Sequence, residues 1–358
     1  MTALRVGVAG LGFGATVHVP AFLSEGWEVP IVWSRRLDRA REQAAALGVR
    51  EATDDYEAML RGTDIDAVAI ATPPTAHHDM VMAALAAGKH VLCEKPFARN
   101  AREATAMRAA ASSAGLTAMV AHEFRFAPQR SFIKELLEVG YVGTPQVVQL
   151  ELFIGGRRPA QPPPLGASVA DGGGLLGALG SHFIDGLRDW LGDVQEVSGL
   201  TRALRPDRLD PATGATVQTD ADDTFQFVLT FESGAIASMV ASTAVGPGSG
   251  GRTFISGTDG SLLATQRGPN PEPDGVVLGA RVGEREFVEL PMPERHRPFE
   301  DERDHRLVAF RLLVREFERG IRDGTSPAPS FEDGLRCQQV LDAVRESAAT
   351  GRTVRISE

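Results

Sequence analysis

The chain has 358 residues, a formal net charge of −10 and a pI near 5.4, and its length is typical of two domains. Binding to nucleic acid or to an anionic membrane needs clustered lysine and arginine, so the acidic balance argues against both partners. The 43% of hydrophobic residues exclude a disordered chain, and two cysteines exclude a disulfide framework. Because no apolar run reaches 18 residues and the first residues lack a basic leader, we expect a cytoplasmic protein without a membrane span.

The first 120 residues alternate between short apolar strands and alanine-rich helices. Strands are predicted at 4–9, 28–33, 67–71, 89–93 and 116–120, and helices at 37–47, 56–60, 76–87 and 101–114. Strand and helix in repeated alternation are typical of parallel strands joined by right-handed crossovers. The strands are apolar throughout, as expected when helices cover both faces of the sheet. We therefore predict an α/β fold, with a doubly wound Rossmann domain over residues 1–122.

The pattern changes after residue 122. Helices are predicted at 128–139, 304–320 and 331–348 and in a segment that ends near 191, and strands at 146–153, 224–231, 235–242 and 353–356. The strands 224–231 and 235–242 flank a short Glu-Ser-Gly turn and predict an antiparallel hairpin. Residues 155–168 hold four prolines and three glycines, which favour an irregular flap. We predict an α+β domain over residues 123–358 with a mostly antiparallel open sheet.

A glycine-rich turn follows the first strand directly. Its residues are Gly10, Gly12, Phe13, Gly14 and Ala15, and a helix is predicted to begin there. This is the dinucleotide-binding fingerprint in its required strand–turn–helix context. The first glycine permits the tight turn, the second lets the backbone approach a pyrophosphate, and the free N–H groups of the helix N-terminus bind its oxygens. The turn therefore predicts a nicotinamide dinucleotide cofactor.

The end of the second strand predicts which dinucleotide is bound. An acidic residue there holds the ribose hydroxyls of NAD, but this chain has Ser34, Arg35 and Arg36. A hydroxyl and two guanidinium groups suit the 2′-phosphate of NADP, because arginine donates charge-assisted, bidentate hydrogen bonds. We predict NADP in preference to NAD, with the alternative that both arginines belong to a solvated turn.

Two further segments carry recognisable motifs. Within residues 72–96, Thr72, Pro73 and His77 follow one predicted strand, and the next leads into Glu94 and Lys95 before a proline. Residues 172–185 join a run of glycines to a histidine and an aspartate. Together with the glycine turn, these segments resemble the glucose–fructose oxidoreductase, inositol dehydrogenase and rhizopine-catabolism (Gfo/Idh/MocA) family. The resemblance covers nearly the whole chain and is strongest over residues 5–125 and 171–192.

The first segment predicts a redox site. Neighbouring parallel strands end at one edge of a sheet, so Thr72, Pro73, His77, Glu94 and Lys95 are expected beside the bound cofactor. A lysine there can bind a substrate hydroxyl and take up its proton. The resemblance assigns this catalytic role to Lys95.

The resemblance also implies a substrate contact or proton relay for His182. Many members of the family carry an aspartate four residues earlier, where this chain has Ala178. Asp185 either orients His182 or is a charge on the helix surface. Glu123 either supplies the missing acid or pairs with Arg125. We count Glu123, Arg125 and Asp185 with Lys95 and His182 as candidate substrate-binding residues, and scattered histidines predict no metal site.

These features predict an NAD(P)-dependent dehydrogenase. It would transfer a hydride between nicotinamide C4 and a secondary alcohol or ketone of a sugar, cyclitol or glycoside, with Lys95 as acid and base. The family resemblance implies a small sugar-like substrate and a homodimer or homotetramer. Three alternatives stay open: a tightly bound cofactor used for internal redox, as in glycosidases or epimerases; a non-catalytic sugar or nucleotide sensor; and a reductase of imines or bilins.

Overall fold

The computed structural model describes residues 2–62, 64–155, 168–209 and 213–356. The chain divides into two compact units, each of which is described by itself. The first comprises Met1–Glu123 and Asp301–Gln338, and the second comprises Phe124–Glu300 and Gln339–Glu358.

The first unit is built on a six-stranded parallel sheet. Its strands are β1 (Arg5–Ala9), β2 (Glu28–Trp33), β3 (Glu51–Thr53), β4 (Ala67–Ile70), β5 (His90–Cys93) and β6 (Ala118–Val120). Their order β3-β2-β1-β4-β5-β6, with every pair parallel, confirms the doubly wound sheet. The strand β3 was missed by the sequence analysis because its three residues lack an apolar run.

Helices connect these strands. A π-helical turn (Gly14–His18) leads into α1 (Val19–Ser24), followed by α2 (Leu37–Leu47), α3 (Tyr56–Gly62), α4 (Pro74–Ala86) and α5 (Ala101–Ala114). All four residues of β4 are fully buried, which explains why this strand is apolar rather than alternating.

The second unit contains a nine-stranded sheet. Its strands are β7 (Pro145–Phe153), β8 (Val194–Arg202), β11 (Thr224–Phe231), β12 (Ile236–Ser242), β13 (Gly250–Gly257), β14 (Gly260–Gln266), β15 (Val277–Arg281), β16 (Val288–Leu290) and β17 (Val354–Arg355), and a separate ribbon pairs β9 (Asp207–Leu209) with β10 (Thr216–Gln218). The described pairs are antiparallel except β7 with β12, and the expected hairpin is the pair β11–β12. This confirms the mostly antiparallel sheet. Two helices, α6 (Pro128–Glu138) and α7 (Ser181–Leu191), belong to this unit.

The last part of the chain returns to the first unit before it ends in the second. The helix α8 (Leu307–Asp323) packs against α1, and α9 (Phe331–Thr350) follows it. The Trp27 indole stacks on Phe317 with ring centroids 5.9 Å apart, and the carboxylate of Glu25 accepts hydrogen bonds of 2.6 Å from both Arg311 and Arg315. The sequence predicted a single domain boundary after residue 122, whereas the structure returns Asp301–Gln338 to the first unit. Contacts between residues almost 300 positions apart cannot be read from the local sequence pattern.

Candidate active site

The glycine turn has the geometry that a pyrophosphate needs. Gly10 has a φ of +102°, and a Cβ there would stand 2.4 Å from the carbonyl oxygen of Ala71. Next to Gly12 the space is open, because among the described residues no heavy atom beyond its chain neighbours lies within 4 Å of a Cβ built there. A Cβ built at Gly14 would stand 3.1 Å from the Val8 side chain, so a glycine lets the helical turn lie close to β1. The backbone therefore turns tightly, stays bare where a phosphate approaches, and leads into a helix, which fits a dinucleotide.

The ring of Phe13 packs within the first unit. It meets the rings of His18 and Phe310 edge-on, with centroids 5.8 and 6.1 Å away. The guanidinium carbon of Arg306 lies 5.0 Å from the centroid of the same ring. The aromatic and cation–π contacts tie the turn to the returning segment Asp301–Gln338. The contact of Phe13 with a cofactor stays a prediction.

Three arginines lie near the turn on the β2 side. Arg35 and Arg36 are exposed, and the backbone N–H of Arg36 donates to the Ser34 hydroxyl at 3.4 Å. The sequence analysis missed Arg39, whose guanidinium donates to the carbonyl of Leu11 at 3.4 Å. Arg39 follows Arg36 by three residues on a predicted helix, and this spacing could have indicated that the two side chains are neighbours.

Four central strands end side by side. Ala9 pairs with Ile70, Ile70 with Cys93, and Cys93 with Val120. The residues that follow these strand ends therefore lie along one edge of the sheet. This brings the glycine turn, Thr72 and Lys95 to the same edge, as the sequence analysis expected.

His77 is buried and its ring hydrogen-bonds to both of the segments that follow β4 and β5. Its Nε2 lies 2.9 Å from the carbonyl oxygen of Thr72, and its Nδ1 lies 3.1 and 3.3 Å from the carbonyl oxygens of Pro96 and Phe97. Burial lowers the pKa of His77, and the hydrogen bonds to the three carbonyls oppose that shift. Because both ring nitrogens face backbone oxygens, any effect of His77 on a cofactor would be indirect, through the positions of Thr72 and Pro96.

Lys95 is half-buried, and its backbone is held by Glu94, which is itself hydrogen-bonded to a buried histidine. His18 is fully buried, and its Nε2 lies 2.9 Å from Oε1 of Glu94, while Oε2 of Glu94 accepts the backbone N–H of Lys95 at 3.1 Å. Burial raises the pKa of Glu94, but the hydrogen bond and charge of His18 and the charge of Lys95 outweigh it and hold that pKa below its usual value. The sequence analysis missed His18 because nothing near it in the sequence indicates a partner 76 residues away.

Glu123 is a buried carboxyl group three residues after β6. It is 3% exposed and begins a single 3₁₀ turn, Glu123–Phe126. Burial, and then the negative charge of Glu94, raise the pKa of Glu123 to about 8, although Lys95 and Arg306 oppose this. At neutral pH the group is therefore mainly a neutral acid beside a carboxylate and a lysine.

In the second unit, the segment that carries His182 is held by an aspartate. A π-helical turn (Leu176–Gly180) runs into α7, and the carboxylate of Asp222 accepts the N–H of Leu176 at 2.8 Å. Gly174, with φ of +101°, leaves room for that carboxylate. The His182 ring is 2% exposed and stacks on Phe124, with centroids 3.8 Å apart and an interplanar angle of 11°. The sequence analysis missed Asp222, which follows α7 by some 30 residues.

Arg125 and Asp185 bind each other. The Arg125 guanidinium donates two hydrogen bonds to Asp185, at 2.6 and 2.7 Å, and a third to Asp189 at 3.0 Å. Lys134 also donates to Asp189, at 2.7 Å. Among the described residues, the carboxylate of Asp185 is thus engaged by Arg125. This corrects the alternative that Asp185 is a charge on the helix surface, since it is 1% exposed and bound by Arg125.

The predicted flap and the expected lack of a membrane span concern other parts of the chain. Of the predicted flap over residues 155–168, residues 156–167 lie outside the described residues. Within the described part of the chain, the helices are too short or too polar to cross a membrane.

Comparison with known proteins identifies the class that this fold defines. Residues 4–122 match the model of an oxidoreductase family described as an NAD-binding Rossmann fold, and residues 134–356 match the C-terminal alpha/beta domain of the same family. The chain belongs to the Gfo/Idh/MocA oxidoreductase family, as its motifs predicted.

Relatives of known activity align over almost the full chain. A levoglucosan dehydrogenase from Pseudarthrobacter phenanthrenivorans is 28% identical over 98% of this chain and 97% of its own. A D-xylose 1-dehydrogenase (NADP(+)) from Haloferax volcanii is 29% identical over 98% of each chain. The solved structure of a levoglucosan dehydrogenase in complex with NADH and levoglucosan superposes with a TM-score of 0.89, at 26% identity and full coverage of both chains.

Proposed function

We propose that this protein is an NAD(P)-dependent dehydrogenase of a sugar, cyclitol or glycoside, with Lys95 as its acid and base. The observation that carries the proposal is the position of Lys95 two residues after β5, on the sheet edge that bears the dinucleotide turn. The named activities of the relatives support the substrate class, since these act on levoglucosan and D-xylose.

The residues of the chain divide the work of the reaction. A bound nicotinamide supplies the hydride acceptor or donor at its C4. The Lys95 amine binds the substrate hydroxyl, takes its proton as the carbon is oxidised, and returns the proton in the reverse direction. Glu94 keeps this lysine in place through the backbone hydrogen bond, and His18 keeps Glu94 in place.

The experiment that tests the proposal is a substrate screen with both cofactors. Sugars, cyclitols and glycosides are incubated with the enzyme, and absorbance of the reduced nicotinamide is followed. Turnover of at least one secondary alcohol supports the proposal. A cofactor that stays bound through purification, without net reduction, would instead favour internal redox, and sugar binding without turnover would favour a sensor.

The cofactor preference that we propose is for NADP, supported by Arg35, Arg36 and Arg39 beside the turn. We expect Arg35→Ala to weaken NADP binding about tenfold and to leave NAD binding nearly unchanged, since one charge-assisted hydrogen bond to the phosphate is lost. Titration of each cofactor by fluorescence measures the ratio of dissociation constants. Arg50→Ala is the matched control, because that exposed arginine pairs with Glu51. Tighter binding of NAD than of NADP by the wild-type protein would overturn the preference.

The role proposed for His182 is contact with the substrate. We expect His182→Ala to lower turnover about tenfold or more while NADP affinity changes little, because the lost group orients the substrate and not the dinucleotide. Steady-state kinetics and a cofactor titration separate the two effects. His78→Ala is the control, since that ring pairs with the neighbouring Asp79 on α4. Near-normal turnover of His182→Ala would remove the role.

A homodimer or homotetramer is part of the proposal. One face of the nine-stranded sheet exposes Val147, Leu200, Val228 and Ile236 between 39% and 47%, and a second copy would cover them. Light scattering measures the molar mass against 38.2 kDa for one chain. The cytoplasmic location stays a prediction from the sequence.

A further inference from the structure

In the first unit, three titratable side chains from three segments form one buried cluster. His18 ends the helical turn after the glycine loop, Glu94 directly follows β5, and Glu123 lies three residues after β6. All three side chains are buried. Cys93 pairs with Val120, and the N–H of Ala121 donates to the carbonyl of Cys93 at 2.7 Å, so the segments that carry Lys95 and Glu123 leave the sheet side by side.

The two carboxyl groups of the cluster have different surroundings. Both oxygens of Glu94 accept hydrogen bonds, one from His18 and one from the backbone of Lys95, so this group is stabilised as an anion. Glu123 faces that anion together with Lys95 and Arg306, and burial and the Glu94 charge raise its pKa to about 8. When the surroundings of two neighbouring carboxyl groups move their pKa values apart, one group stays charged and the other can carry a proton.

We propose that Glu123 exchanges the substrate proton with Lys95, while His18 and Glu94 are positioning residues that hold Lys95 and keep Glu123 able to carry that proton. The inference rests on the proposed function, in which Lys95 takes the proton first. When the substrate is oxidised, its carbon gives a hydride to the nicotinamide and its hydroxyl gives a proton to the Lys95 amine. The ammonium then passes this proton to the Glu123 carboxylate, and the amine is restored. In reduction the same proton travels from Glu123 through Lys95 to the substrate oxygen.

The test is the pH profile of kcat/KM in the oxidising direction. We expect an ionisation near pH 8 in the wild-type profile, because the Glu123 carboxylate is the accepting form. Glu94→Gln moves this ionisation to lower pH, since the anion that disfavours the carboxylate is removed. Glu123→Gln eliminates it and lowers kcat about tenfold or more, whereas Glu123→Asp retains it. Glu25→Gln is the control, because it removes a buried carboxylate that pairs with Arg311 and Arg315 and leaves the profile unchanged.

A second measurement does not depend on turnover. Glu123 has its usual pKa in the unfolded chain and a raised one in the folded chain, so the folded state binds the extra proton between about pH 4.5 and 8. The contribution of this group to stability is complete below that window and is lost as the pH rises through it. The melting temperature of the wild type should therefore fall relative to that of Glu123→Gln from pH 5 to pH 8.5.

The outcomes separate this inference from the proposed function. Normal turnover without the Lys95 amine would refute the function, whereas the melting curves would still report the protonated Glu123. If removing the amine abolishes turnover but Glu123→Gln has the wild-type pH profile, the proton exchange is refuted and the function stands. Parallel melting curves of wild type and Glu123→Gln would refute the protonation of Glu123 itself.

Discussion

Lys95→Met should lower kcat by about 10²–10⁴-fold, the range that a positioned acid or base contributes. Methionine keeps an unbranched stem of similar length but has no amine, so the substrate hydroxyl loses the group that takes its proton. The backbone hydrogen bond from residue 95 to Glu94 does not need the side chain and should persist. Cofactor affinity, measured by fluorescence, should therefore stay within a few-fold of the wild type.

Lys89→Met is the matched control for this prediction. The chain has three lysines, at 89, 95 and 134. Lys89 lies just before the same strand, and its amine donates to the carbonyl of Ile65 at 2.8 Å, away from the carboxyl end. We expect its loss to change stability slightly and kcat hardly at all. Lys95→Arg should also be nearly inactive, because a guanidinium remains protonated and cannot act as a base. If Lys95→Met turned over as fast as Lys89→Met, Lys95 would not be the catalytic residue.

The second large effect is expected from alanine substitutions at two glycines of the dinucleotide turn. One should lower the stability of the fold, and the other should weaken cofactor binding. Gly10→Ala places a Cβ 2.4 Å from the carbonyl oxygen of Ala71 and forces a non-glycine residue to a φ of +102°. Backbone strain and the clash together should destabilise the fold by about 2–4 kcal/mol. Gly12→Ala places its Cβ in open space and should leave the melting temperature nearly unchanged.

Cofactor titration separates the two variants. Because the space beside Gly12 is where a pyrophosphate would approach the backbone, Gly12→Ala should weaken dinucleotide binding by about tenfold or more in a protein that still folds. Chemical unfolding gives the free energies, and fluorescence gives the dissociation constants. Unchanged affinity in Gly12→Ala would mean that the pyrophosphate does not bind at this turn, whatever the effect of Gly10→Ala.

The sheet edge that carries the glycine turn and Lys95 was predictable because its signals are local. Strand–turn–helix spacing identified the glycine turn, and an apolar strand that leads into Glu94 and Lys95 indicated a second part of the site on the same sheet edge. In parallel sheets the order of elements determines which ends lie together, and the register Ala9–Ile70–Cys93–Val120 agrees with that rule. The hairpin β11–β12 was equally accessible, since alternating residues flank a short turn.

The partners of these residues were not predictable. His18 looked like one more residue of the first helix, yet it binds Glu94 across 76 positions. Asp185 is spaced to face His182 on a helix, yet Arg125 from another segment binds it. Asp222 gives no local sign that it holds the start of the His182 segment.

The amino-acid sequence by itself determined the parallel sheet, the dinucleotide turn and the place of Lys95, because periodicity and turn chemistry act between near neighbours. The tertiary structure alone decided the return of Asp301–Gln338 to the first unit and the protonation of Glu123. Those properties depend on which distant groups are buried together, since desolvation and the charge of Glu94 act through space and not along the chain.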